Sequence, residues 1–492
     1  MSKRVVQIGV QEVAARVREA REAEREWARR AASERAGVMR GVRAAFLDAA
    51  EAIVDATARE TGKPRAEAWL GDFIPNVDLF GYWIKEAPRL QRPERVWLNP
   101  INFPRKRATI ELVPRGVVAL ITPWNYPVSI PLRTIVPALL AGNAVVWKPS
   151  EVAPEVAGLV ADTFEKGGLP RGLLTTVMGE GDVGDAVVRA EVDHVVFTGG
   201  LATGRLVVRA AAERMTSCSL ELGGKDAAIV LDDANLDRAI PGVAWGAFTN
   251  AGQNCAGIER VFVTREVSKK FIDGLVAYTA TLKSGSDVGA LTTDRQFEIV
   301  KAHVADAVER GGKVRVGGKP GRGKREFEPT VLTDVARDAK VFTDETFGPV
   351  VPVEVVETAD EAVRRANEAG YGLTASLWTA DEAGAVKRAR VLECGVVSVN
   401  NHAFTGAVPS LPWTGVKGSG HGITNSKYAF FELTRPKTLL VDRLGAAREP
   451  WWFPYGSRAE ALGKAMVEVM RHGPSRVPGL LGAFASRWKE TE

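Results

Sequence analysis

The chain is predicted to fold as α/β, with parallel sheets crossed by helices, and three observations carry that prediction. Strand-like apolar runs, VVALIT (117–122), NAVVWKP (143–149), LLTTVMG (173–179), DHVVFTGG (193–200) and AAIVLDD (227–233), are separated by helical patterns such as 155–166 and 182–190. Strand alternating with helix implies parallel strands joined by crossovers. A second series of the same kind runs over about 261–399. The composition, 45% hydrophobic and 25% charged, is that of an ordinary globular chain. At about 150 residues per domain, a chain of 492 residues makes about three domains or fewer, larger ones.

In chain order, residues 11–59 read as helices rich in Ala, Arg and Glu. Pairs such as Arg18/Glu22 attract and Arg21/Arg25 repel on a solvated face, with Trp27, Phe46 and Leu47 pointing inward. Residues 93–116 hold short apolar runs cut by prolines, a strand-rich excursion. The parallel series follows. After Asp442 comes REPWWFPYGS (448–457), an aromatic, proline-rich linker. Ser457 with Glu460 three positions later predicts a capping box. Leu462, Ala465, Met466, Val469 and Met470 then keep helical spacing, and Val477, Leu480, Leu481, Phe484 and Trp488 form a second amphipathic stretch.

Several function classes are disfavoured. Lys+Arg 65 against Asp+Glu 60 leaves +5, and no dense basic block suits nucleic acid. Three scattered cysteines, Cys218, Cys255 and Cys394, make no disulfide framework and point to a reducing, cytoplasmic setting. His194, His303, His402, His421 and His472 show no metal-ligand spacing, so no metal is expected. The first residues have no apolar core fit for a signal peptide. The most apolar segment, 116–146, is broken by four prolines and cannot supply a membrane span.

Several loops could carry chemistry. GEGDVG (179–184) fits GxGxxG, but Asp193 comes too early for the acidic partner of a dinucleotide fingerprint, and a tight turn explains it equally well. FTGGLATG (197–204) follows a strand and opens a helix, where free N–H groups suit an anion. KPSE (148–151) could hold two ribose hydroxyls through Lys148 and Glu151, or be a solvated Lys and a helix-start Glu. TPWNYP (122–127) ends a strand, where open parallel sheets bind ligands, and fixes Asn125 between prolines. ELGGKD (221–226) sets a carboxylate before two glycines, and GQNCAG (252–257) sets Cys255 in a loop of small residues. Cys218 and Cys394 read as structural.

The order PWN, KPSE, FTGG, LELGGK, GQNC, ETFGPV, with 34 positions (255 − 221) between Glu221 and Cys255, resembles the NAD(P)-dependent aldehyde dehydrogenase superfamily over about residues 10–440. The resemblance implies Cys255 as nucleophile, Asn125 and the Cys255 N–H as oxyanion donors, and Glu221 as the base that activates water. Relatives that pass the acyl group to coenzyme A lack this Glu, so a free acid product is expected. It also implies Lys148 and Glu151 at the adenine ribose, favouring NAD while leaving NADP open, and Gly181 at the adenine. Thr198, Gly199 and Gly200 resemble the pyrophosphate loop, with Gly200 in place of a frequent Ser. Glu345 and Phe347 resemble the nicotinamide contacts, and Thr122, Pro123, Trp124, Leu222 and Gly223 complete the cofactor set.

The same resemblance predicts an aldehyde dehydrogenase-like fold. It has a Rossmann-type cofactor domain (1–92 and 118–220), an α/β catalytic domain (221–405) and oligomerisation strands (93–117 and 406–442), with a C-terminal extension (443–492). A homodimer or tetramer is expected. For the substrate, Tyr126, Arg133 and Thr249 are the candidates. Arg133 stands where semialdehyde-oxidising relatives bind a carboxylate, but Thr249 replaces their second Arg. A short front and an aromatic-Pro tail resemble the fatty-aldehyde branch and favour a medium/long-chain or aromatic aldehyde. That tail is expected to pack on protein, with contact to a membrane surface as the alternative. A non-catalytic scaffold on the same fold would need none of Cys255, Glu221 and Asn125 together.

Overall fold

A computed structural model describes residues 8–100, 103, 105–443, 449–453 and 455–491. The first seven residues and parts of the 448–457 linker, Arg448 and Pro454 among them, lie outside the described residues. The chain divides into two units, Met1–Arg92 with Leu112–Arg435, and Pro93–Glu111 with Pro436–Glu492.

The larger unit holds two sheets. The first has five strands in the order Leu174–Thr176, Ala144–Lys148, Val117–Ile121, His194–Gly199, Ser217–Leu222, all parallel. VVALI and AVVWK are apolar almost throughout because helices cover both faces of a parallel sheet. Helices Val10–Arg29, Ala32–Asp48 and Ser129–Ala141 pack on this core. Arg35 donates to Leu140 O at 3.0 Å and Trp27 to Leu139 O at 2.7 Å, which satisfies carbonyls at the end of the last of these helices.

The second sheet has seven strands in the order Lys313–Val316, Thr330–Thr333, Val350–Val356, Ile258–Thr264, Asp226–Val230, Thr374–Trp378, Val396–Val399. Its first pair is antiparallel and the others are parallel. Gly223, Gly224 and Lys225 alone separate the last strand of the first sheet from a central strand of the second. The smaller unit carries most of a three-stranded sheet, Glu94–Val96, Lys106–Pro114 and Thr434–Asp442. It also has a hairpin of helices Ser457–His472 and Val477–Thr491.

Several local expectations are corrected. Leu47 is 39% exposed while its neighbour Phe46 is buried, because consecutive residues sit about 100° apart on a helix and only Phe46 shares the face of Met39 and Val42. No capping box forms at Ser457: Gly456 is the N-cap, and Ser457 is already helical. Met470 and Leu481 are exposed, so the tail's apolar stripes are narrower than their spacing suggested. Val117 pairs into the first parallel sheet and not into the three-stranded one. Between 406 and 433 lie short strands, Trp413–Thr414, Val416–Lys417 and Ile423–Thr424, and a helix, Ser426–Glu432.

Candidate active site

The functional loops gather at the carboxyl edge of the five-stranded sheet. Read across the strand order, that edge presents Gly181 after Leu174–Thr176, Lys148, Thr122 after Val117–Ile121, Thr198 with Gly199, and Leu222. Ligands bind at such edges because crossover loops open there. A cavity of about 360 Å³ opens at its far end. It is lined by Pro123, Trp124, Asn125, Thr198, Gly199, Gly200, Glu221, Leu222, Gly223, Cys255, Glu345 and Phe347. Thr122, Lys148, Glu151 and Gly181 are not among its lining residues. Thr122 accepts from Trp147 Nε1 at 2.9 Å, Lys148 pairs with Glu151 at 2.9 Å, and Gly181 starts helix Gly181–Arg189.

Cys255 also lines a second cavity, of about 430 Å³, with Tyr126, Arg133, Trp245, Thr249, Phe404 and Trp413 among its walls. The thiol therefore stands at the seam of two cavities. Its loop is held tightly. Asn250, Ala251 and Gly252 take positive φ values of 54°, 53° and 71° in succession. A Cβ on Gly252 would lie 2.1 Å from Gly348 O, so only glycine fits there. Asn125 Nδ2 donates to Gln253 O at 3.1 Å, while its Oδ1 is buried without a partner.

Burial governs the titration of the site. Desolvation, reinforced by the charge of Glu221, pushes the Cys255 thiol up to about 12. Burial also lifts Glu221 to about 7, with Thr424 and Arg133 pulling the other way. Glu345 rises to about 8 through burial and the neighbouring charge of Glu259, and its Oε1 accepts from Gly224 N at 3.1 Å. A Cβ on Gly223 would meet that carboxyl at 2.1 Å, which explains the glycine.

Several site residues had no legible signal. Glu259 accepts from Thr346 N at 2.8 Å and Phe347 N at 2.9 Å and pairs with buried Lys225, so it shapes the ETFGPV loop. Gln296 donates to Thr346 O at 2.8 Å and Phe347 O at 3.0 Å. Lys63, buried with Asp72 at 2.6 Å, donates to Asn125 O at 2.8 Å and sits 4.3 Å from the Tyr126 ring centroid. Asp72 in turn accepts from Ser129 N at 3.1 Å. Just before Lys63, Gly62 ends helix Ala50–Thr61 at φ 79°. Arg133 lies 6.0 Å from the Trp413 ring centroid, and no carboxylate pairs with it among the described residues. No group of His, Cys, Asp or Glu could hold a metal among the described residues.

The aldehyde dehydrogenase family model matches residues 2–439, and the chain belongs to that family. It is 39% identical to a 4,4'-diapolycopene aldehyde oxidase of Methylomonas sp over 88% of this chain and 82% of the relative. Among solved structures, a succinate-semialdehyde dehydrogenase from Burkholderia pseudomallei superposes with a TM-score of 0.85, at 33% identity over 89% of this chain and 91% of that one. A betaine aldehyde dehydrogenase from Staphylococcus aureus, solved in complex with NAD+, gives 0.86 at 30% identity over 92% and 90%.

Proposed function

We propose that the protein oxidises an aldehyde to its carboxylic acid with NAD, NADP being the weaker alternative, through a covalent intermediate on Cys255. The observation that carries this reading is the single thiol shared by two cavities, one per reactant. The larger, aromatic-walled cavity takes the aldehyde. The other suits a nicotinamide nucleotide: Gly223 leaves room against Glu345, Gly200 is the N-cap of helix Leu201–Ala212, and Trp124 meets Phe347 edge-on at 5.7 Å. Pro123, Leu222, Thr198 and Gly199 would complete that wall, with Lys148, Glu151, Thr122 and Gly181 placed along the same sheet edge for the adenosine half.

Cys255 Sγ, as the thiolate, adds to the aldehyde carbon, and the carbonyl π pair moves onto oxygen to give a thiohemiacetal oxyanion. The Asn125 amide and the Cys255 N–H take up the oxyanion charge, each donor being worth about 3 kcal/mol of barrier. When bound, the nicotinamide supplies the two-electron acceptor that leaves a thioester on sulfur. Glu221, ionised above about 7, takes a proton from water as it attacks the thioester, and the acid departs. A catalytic thiol fits a reducing, cytoplasmic setting.

Apolar and aromatic walls, with Leu70, Trp245 and Phe404 exposed at 73%, 51% and 60%, favour a medium/long-chain or aromatic aldehyde. The similarity to a diapolycopene aldehyde oxidase points the same way. Arg133 supports a second reading, a semialdehyde whose carboxylate it would pair. NADH formation across acetaldehyde, long alkanals, benzaldehyde and succinate semialdehyde decides between them. The first reading predicts the highest kcat/KM for long or aromatic aldehydes, unchanged within about threefold in Arg133→Ala. Preference for succinate semialdehyde, lost in that variant, would overturn it in favour of the second. No NADH with any aldehyde would defeat both readings.

A further inference from the structure

Glu67 belongs to no motif used above, yet it grips the loop that carries the thiol. Its Oε1 accepts from Asn250 N at 2.9 Å and from Thr249 Oγ1 at 3.1 Å. Its Oε2 is buried without a hydrogen-bond partner. The carboxylate sits on short helix Arg65–Glu67, just before a π-helical turn, Ala68–Phe73. Such turns are rare and occur frequently at functional sites.

The gripped segment is the strained one. Two consecutive non-glycine residues, Asn250 and Ala251, take left-handed backbone angles. This conformation is sparsely populated and persists only where surroundings impose it. Within the loop, Asn250 Nδ2 donates to Asn125 O at 2.9 Å and to Gln253 O at 3.0 Å. Gln253 O also accepts the Asn125 amide. The position of Asn250 thus sets both the start of the Cys255 loop and the Asn125 side chain. Glu67 holds the backbone of Asn250 from outside that loop.

We infer that Glu67 is a positioning residue for the proposed reaction: by fixing Asn250 it holds Cys255 and Asn125 in register for attack on the aldehyde. The inference rests on the assignment of Cys255 as nucleophile. A displacement of about 1 Å at such a pair costs about a hundredfold in rate. Glu67→Ala should therefore lower kcat by about ten- to a hundredfold with KM changed less than about threefold. Glu67→Gln, which keeps an oxygen acceptor, should recover most of the loss. The rate of Cys255 alkylation by iodoacetamide should fall in Glu67→Ala and return in Glu67→Gln.

The experiment measures kcat, KM and alkylation rate for wild type, Glu67→Ala, Glu67→Gln, Glu67→Asp and Cys255→Ala, with thermal midpoints alongside. If Glu67→Ala does not fold, Glu67→Asp decides: it keeps the charge but falls short of Asn250 N, so kcat and the alkylation rate must drop, and wild-type values in it overturn the inference. A Glu67→Ala enzyme with wild-type kcat and alkylation rate, or a Glu67→Gln enzyme as slow as Glu67→Ala, overturns the inference. A Cys255→Ala enzyme that still turns over would instead overturn the nucleophile assignment.

Discussion

At Glu221 desolvation outweighs the nearby charges, and a carboxyl that would titrate near 4.5 in water is pushed up to about 7. The sign of the consequence is fixed: the raised carboxyl is protonated below that value and can accept a proton above it. Deacylation should therefore speed up as pH rises through about 7, and kcat measured from about pH 5.5 to about pH 9 should show that limb. Glu221→Gln should erase it. A flat profile in the wild type would remove Glu221 as the base. The ionisable pair of Glu221 and Cys255 was legible through its motifs, ELGGKD and GQNCAG. The gripping carboxylates were not. Glu67 and Glu259 lie far in sequence from the loops they hold, and a surface Glu in a helix or strand looks the same until folding brings Asn250 or Phe347 against it. Leu47 failed for the opposite reason, since a local apolar letter says nothing about which side of the helix faces the core.

At the scale of elements, apolar strand runs were the strongest signal. VVALIT, NAVVWKP and DHVVFTGG each match an observed strand within one or two residues, because a strand buried on both faces must be apolar throughout. Turns were harder. The left-handed run at Asn250–Gly252 meets Glu67, Asn125 and the Gly348 carbonyl, none of them neighbours in sequence. Gly252→Ala should place a methyl against that carbonyl at a positive φ, where both effects destabilise. We expect a loss of about 2 kcal/mol or more in denaturant unfolding, with kcat falling in parallel. A variant of wild-type stability and activity would mean that the loop relaxes freely.

For the whole molecule, we propose that the smaller unit supplies the assembly surface. Thr434–Asp442 is an edge strand of the three-stranded sheet, exposed along nearly all its length, with Leu439, Leu440 and Val441 outward. Edges of this kind invite pairing unless charge or cover protects them. A homodimer or larger oligomer is the expected state, and Leu439→Lys with Leu440→Lys should shift it towards monomer in light scattering after size exclusion. An unchanged oligomer would place the interface elsewhere. The tail is partly committed within its own unit. Arg487 is fully buried and donates to Pro450 O at 2.8 Å and Trp452 O at 2.5 Å, so it is not available to a membrane surface. No described helix is long and apolar enough to cross a membrane.

The decisive measurement joins these scales in one variant. Glu221→Gln enzyme, mixed with NAD and a good aldehyde substrate, should release one NADH per site in a burst and then stall. The peptide containing Cys255 should then carry the mass of the acyl group. Continuous turnover at the wild-type rate, or an acyl group on any other residue, would contradict a thioester on Cys255 cleared by Glu221.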